Sequence, residues 1–218
     1  MATRIRRHSV KNLNNSVFAL DVPQWNTSKL KVIPRSWFNS VVATIYTIGH
    51  STRELNELVS ALQAHGINTL VDIRAFPRSR RLPHFNRENL QRELPNVAIE
   101  YVWLQQLGGR RKRQSKDSPN IALRNDSFRN YADYMLTAEF ADGIGQLAQI
   151  SANGLTAIMC AERVYFHCHR MLVADYLTAR GHEVLHIEDE KPARPHRLMP
   201  EARMVEGRLL YIGDRLFA

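Results

Sequence analysis

The sequence holds very little cysteine: two residues in 218, Cys160 and Cys168. So few exclude a disulfide-stapled scaffold, and because the pair flanks a polar loop, reduced thiols outside an oxidising compartment are expected. Long apolar runs are missing as well. No stretch approaches the roughly 20 residues that cross a bilayer, and the arginine-rich start, Met1 to Val10, lacks the apolar segment of a secretory signal. The expectation is a soluble, cytoplasmic protein with no membrane partner. There is no P-loop, and no G-x-G-x-x-G follows the first predicted strand, so a conventional nucleoside triphosphate or dinucleotide site has no support. No cofactor is named by any other motif. Internal repeats are absent, and the basic run Arg110 to Arg113 is too short to count as low complexity.

Acidic residues are the scarcer charge, 21 against 30 Lys and Arg, a formal net charge of +9. The excess is uneven. Residues 1–40 carry seven Lys or Arg against Asp21 alone, a net +6, which leaves +3 for residues 41–218. Without sustained periodicity, residues 1–40 read as a flexible basic extension suited to loose contact with nucleic acid or another polyanion. Trp25, Trp37 and Phe38 argue that its second half also touches the domain surface. Residues 41–218 are long enough for one α/β domain, and 44% apolar composition supplies an ordinary core.

From Val41 onward strand and helix patterns alternate. Val41 to Ile48, Thr69 to Ile73, Ala98 to Leu104, Leu155 to Met159 and Glu183 to Ile187 read as strands. Between them, Ser51 and Glu54 form a capping box ahead of a helix carrying Leu55, Leu58, Val59 and Leu62, which Gly66 stops. Asn86 caps a short helix with Leu90 and Leu94 on one face. Phe128 to Ile150 reads as one long helix, and a further helix bearing Leu172, Val173, Tyr176 and Leu177 follows Cys168. Tyr211 belongs to a final hairpin around Glu206 and Gly207. This order predicts a Rossmann-like three-layer domain with a mainly parallel sheet of about five strands. In doubly wound order the first and fourth strands are neighbours, and ligands sit at the carboxyl ends of the strands.

Reactive residues cluster where such ends are predicted. Cys160-Ala-Glu162 ends the fourth strand, and Cys168-His-Arg170 follows six residues later. At a helix start beside His169 and Arg170, the Cys168 thiol is the better candidate for a lowered pKa and for catalytic or redox chemistry; a structural role is the alternative. Cys160 reads as a small core residue. Glu162 is a candidate general acid or base, or simply an ion-pair partner of Arg170. Arg170 suits a phosphate or carboxylate. His50 and Ser51 follow the first strand, with Ser51 better explained as a cap than as a nucleophile. Asp72 and Arg74 end the second strand on one face, as a ligand contact or a buried ion pair. Arg78, Arg81, Gly108 and Gly109, on loops leaving the same rim, complete the candidate binding set. Zinc is not expected, because the eight-residue cysteine separation and the adjacent Cys168 and His169 depart from the usual paired spacings.

Taken together, Thr47-Ile-Gly-His-Ser51, Val71-Asp-Ile-Arg74 with Pro77 and Ser79, Pro83-His-Phe-Asn86, Leu107-Gly-Gly109, Tyr131-Ala-Asp-Tyr134, the two cysteine motifs and His186-Ile187 closely resemble the domain of unknown function 488 family. The resemblance runs from about Ala43 to Gly213 and implies a Rossmann-like α/β fold. It implies no activity, since the family has none assigned.

Two function classes fit these residues. One is an enzyme acting on a phosphorylated, nucleotide or nucleic-acid substrate, with Arg74 and Arg170 positioning it and Cys168, His169, Glu162 or His50 supplying the chemistry. The other is a noncatalytic nucleic-acid or nucleotide-binding protein using the same rim. The number of reactive groups favours the enzyme.

Overall fold

A computed structural model describes residues 42–113 and 116–212 of the chain. The basic extension, with its expected polyanion contact, lies outside the described residues. Five parallel strands, β1 (Thr44–Gly49), β2 (Thr69–Asp72), β3 (Glu100–Trp103), β4 (Thr156–Cys160) and β5 (Glu183–Ile187), are joined at the edge by a short antiparallel sixth, β6 (Arg194–Pro195). The sheet thus has one strand more than the five expected, because the dipeptide β6 is too short to show a period. A separate hairpin, β7 (Ala202–Val205) and β8 (Arg208–Tyr211), turns at Glu206 and Gly207, both with positive φ, as a tight hairpin turn requires.

Strand order is β3-β2-β4-β1-β5-β6. The first and fourth strands are neighbours as expected, but β4 also pairs with β2 and so separates β2 from β1. That insertion matters for the site: the ends of β1 and β2 now flank the end of β4.

Five α-helices are described: α1 (Leu55–Ala64), α2 (Arg87–Glu93), α3 (Asp126–Tyr134), α4 (Ala138–Ser151) and α5 (Arg170–Ala179). Alternate strand residues enter two separate cores. Ile48, Leu70, Ala157 and Met159 pack with Leu58, Leu62 and Leu90, whereas Ile45, Val71, Ile158 and Val184 pack with Phe140, Leu147, Leu172 and Val173. This is the period-two alternation of a sheet buried on both faces. Among the described residues no helix is long and apolar enough to cross a membrane.

Three local expectations need correction. Ser51 is not the cap of α1: it sits at φ 52° in the turn leaving β1, and the helix is opened by Glu54, whose N–H donates to the Glu57 carboxylate at 2.9 Å. The long helix is two, because the chain leaves helical geometry after Met135 and Thr137 caps a new start, its Oγ1 accepting from the Phe140 N–H. Helix α5 begins at Arg170 with His169 as N-cap, so Cys168 lies just before the helix in extended backbone (φ −131°, ψ 150°).

Candidate functional site

Because β4 lies between β1 and β2, loops from three strand ends meet. The His50 N–H donates to the Cys160 carbonyl (2.9 Å), Ser51 N–H to the Ala161 carbonyl (2.8 Å), and Ile73 N–H to the Met159 carbonyl (2.9 Å). Beyond these bonds the loops diverge and leave a cleft of about 680 Å³, whose walls include His50, Arg74, Cys160, Glu162, Cys168 and His169. Gly49 makes the crossing possible. A Cβ there would stand 1.9 Å from the Glu162 carbonyl oxygen, so the loop after β4 can pass the end of β1 only over a glycine.

One wall is polar and closed. Asp72 is fully buried, and its carboxylate accepts from Arg74 Nε (2.9 and 3.0 Å), Arg74 Nη2 (2.5 Å), the Arg74 N–H (2.9 Å) and the Tyr101 hydroxyl (2.7 Å). Burial alone would lower the Arg74 pKa, but Asp72 outweighs it and holds the guanidinium firmly charged. Arg74 also donates to the Phe85 carbonyl and, through Nη1, meets His50 Nε2 at 3.2 Å. Since a guanidinium only donates, His50 Nε2 accepts and its Nδ1–H points to the Ser51 carbonyl, 2.9 Å away. Burial, then the Arg74 charge, drops the His50 pKa to about 4, so the ring is neutral and both nitrogens are engaged.

The other wall is open. Cys160 Sγ lies 3.8 Å and Cys168 Sγ 3.5 Å from the same atom, His169 Nδ1, and the three atoms are all within 4.8 Å of one another. His169 Nε2 is 3.0 Å from the Ile73 carbonyl, which accepts, so Nε2 bears the hydrogen and Nδ1 presents its lone pair to the sulfurs. Mutual contact sets the two thiols apart. Cys160, its S–H held by Cys168 and buried, is pushed well up; Cys168 is drawn well down by that same S–H against its burial, with help from the Arg170 charge.

What holds these walls is mostly hydrogen bonding to backbone carbonyls. Tyr131 and Tyr134 hydroxyls donate to the Leu107 (2.7 Å) and Gln106 (2.6 Å) carbonyls, and Arg111 donates to the Gln105, Gln106 and Gly108 carbonyls. They pin the loop that lays Gly109 over His169, so closely that a Cβ on Gly109 would be 2.8 Å from Nδ1. Arg170 is buried, with 1% exposure. It donates to the Glu162 (2.5 Å) and Arg163 (3.2 Å) carbonyls and to Thr47 Oγ1 (3.2 Å). From Thr47 a row of short contacts continues to His186 Nδ1 (2.8 Å), from His186 Nε2 to His196 Nδ1 (3.0 Å), and from His196 Nε2 to Asp175 (2.8 Å).

The model of the family described as domain of unknown function DUF488 matches residues 54–177, more than half of the chain. The chain belongs to this family. No curated protein and no solved structure matches it. The DUF488 match takes in Asp72, Arg74, Cys160, Cys168, His169 and Arg170; His50 and Ser51 lie just before it.

Within this DUF488 chain the convergence expected from sequence holds for His50, Ser51, Arg74, Arg78, Glu162, Cys168, His169 and Gly109, all on the cleft. It does not hold for four others. Asp72 is buried behind Arg74. Arg170 faces the loop it supports instead of a ligand, because its acceptors are carbonyls brought to it by folding. Gly108 is buried, where a Cβ would meet the Ala75 backbone at 2.8 Å, and Arg81 is exposed away from the cleft. Cys160 and Arg110, expected on this rim though not as site residues, line the cleft as well, and so do Phe76, Phe128, Tyr131 and Arg163, which lay outside the expected set. The motif Tyr131 to Tyr134 was a usable signal for Tyr131; the adjacency of Arg163 to Glu162 was another.

Proposed function

We propose that this DUF488 protein is an enzyme whose cleft takes a phosphate-bearing, base-containing substrate, a nucleotide or a nucleic-acid strand, with Cys160, Cys168 and His169 as the reacting centre. One observation carries the reading: two thiols and the lone pair of one imidazole face each other in a cleft rimmed by the exposed Arg78, Arg110 and Arg163, against Glu162 as the acid on that rim. Such a rim favours an anion. The exposed Phe76 (68%) and the partly buried Phe128 offer faces on which a base can stack. Arg78 is lightly held, its contact to the exposed Glu88 being 3.5 Å, and an exposed pair of that kind costs little to break. The two cores on either side of a mainly parallel sheet support a Rossmann-like three-layer frame, in which carboxyl strand ends are the usual ligand position.

Binding of a mononucleotide and of a short mixed-sequence single strand to the full chain, followed over a range of salt, tests the substrate class. Arg78→Ala, Arg110→Ala and Arg163→Ala should each weaken strand binding about tenfold and reduce the salt slope by roughly one for every phosphate no longer neutralised. Affinity and slope indifferent to all three would remove the reading. Cys168→Ser and His169→Ala should spare binding while abolishing any product seen by mass spectrometry. Binding by the native chain with no turnover would favour the noncatalytic alternative.

A further inference from the structure

We propose that Cys160, Cys168 and His169 are three ligands of one zinc ion, whose fourth position opens to the cleft. The separations fit. A tetrahedral zinc with bonds of about 2.3 Å to sulfur and 2.0–2.1 Å to nitrogen sets sulfur and nitrogen about 3.6 Å apart. The two sulfurs stand 3.8 and 3.5 Å from His169 Nδ1, and the set closes within 4.8 Å.

The imidazole is oriented as a ligand before any ion arrives. Its Nε2–H is committed to the Ile73 carbonyl, the backbone bond that fixes tautomer and ring direction in metal-bound histidines. Gly109 on one side and Tyr131, with ring centroids 5.0 Å apart, on the other restrict its rotation. A disulfide between the cysteines would leave that lone pair with no purpose. Thiols alone can be placed only in a chain, Cys160 S–H to Cys168 and Cys168 S–H to Nδ1, which leaves the Cys160 contact to the same nitrogen unused, since one lone pair accepts from one S–H. A cation satisfies all three atoms at once.

Donor type then selects the ion. Two sulfurs and an imidazole nitrogen favour zinc over magnesium or calcium, which prefer oxygen. All three ligands line the cleft, so the remaining position faces the space where a substrate would lie, as in zinc sites that keep one position for water or a reacting group. The ligands come from a strand end and from the turn before α5, which is why their spacing in sequence resembles no zinc motif.

This deepens the reading of the cleft given above and rests on it for the use of the open position, whereas the ion is tested by itself. The full chain, purified without chelator and under reducing conditions, should contain about one zinc per chain. After removal of zinc, titration with cobalt(II) should give thiolate-to-cobalt charge-transfer absorption and the strong visible bands of a tetrahedral site, saturating near one equivalent. Cys160→Ser, Cys168→Ser and His169→Ala should each lower cobalt affinity at least tenfold with an unchanged circular dichroism spectrum. The native-chain titration stands even if a variant misfolds. No tetrahedral cobalt spectrum and no zinc uptake by reduced native chain would overturn the proposal, as would a Cys160–Cys168 disulfide that persists in mild reductant. Zinc bound without nucleotide binding would remove the substrate reading and leave the metal; nucleotide binding without zinc would do the reverse.

Discussion

Asp72 and Cys160 end neighbouring strands in the same sheet, yet the groups around them are treated in opposite ways. The carboxylate of Asp72 is fully occupied by Arg74 and Tyr101, and Arg74 in turn engages Phe85 and His50. Across the cleft, two sulfurs share one nitrogen. The first arrangement is finished by folding; the second needs something from outside. A wall of paired charges gives the cleft a fixed shape, and the under-coordinated wall is where chemistry can enter.

The two walls should differ most at Asp72. Asp72→Ala strands a buried guanidinium and should destabilise the chain by about 3–5 kcal/mol in denaturant unfolding. Cys160→Ala, in zinc-free protein, should cost only about 1 kcal/mol. Comparable effects at the two positions would erase the distinction between the walls.

A middle-sized effect lies in pH. His50, held at about 4 by burial and Arg74, and His186, held at about 3 by burial with His196 and Arg170, stay neutral in the folded chain. The unfolded chain protonates both through about pH 6.5 and so binds more protons. Stability is therefore complete above about pH 6.5 and is lost as pH falls toward 4 and below, with each histidine adding up to about 1.4 kcal/mol per pH unit. His182, lowered by burial, acts in the same direction. Unfolding measured between pH 7 and 5 should show this decline, and His50→Gln should remove one proton from its slope; an unaltered slope would mean that His50 is charged when folded.

The smallest expected change in stability is at Gly109. Gly109→Ala puts a methyl group against His169 Nδ1, and the ring must give way at a cost of about 1 kcal/mol, the low end for an added methyl group. Cobalt affinity should nonetheless drop about tenfold, as for other disturbances behind a metal ligand. Unchanged affinity would show that His169 is not held as tightly as the open wall requires.

Much of the frame was legible because strand ends in such sheets are written locally: an apolar run, then polar residues. That is how His50, Arg74 and the two cysteine motifs could be placed on one rim. Competing local signals misled at Ser51, since Ser51-x-x-Glu54 and Glu54-x-x-Glu57 both resemble a helix start and the chain uses the second. Thr137 carried a legible cap inside a continuous helical period, but the period alone does not show where a helix is interrupted. Arg170 was misplaced for a deeper reason. Its acceptors are the Glu162 and Arg163 carbonyls, and a carbonyl is the same at every residue, so no pattern of side chains announces it. The metal ligands were hidden similarly: strand order, which the sequence does not spell, brings Ile73 to His169 and so aims Nδ1 at the sulfurs.

The row from Arg170 through Thr47, His186 and His196 to Asp175 imposes an order on its protons. Its ends are of fixed kind, a guanidinium that only gives and a carboxylate that takes. Each imidazole donates toward Asp175, and Thr47 gives its hydrogen to His186. Thr47, which gives its one hydrogen to His186, accepts from the arginine that carries the loop of Glu162 and Arg163. The carboxylate at one end and the guanidinium at the other thus fix the sense of every hydrogen bond between them.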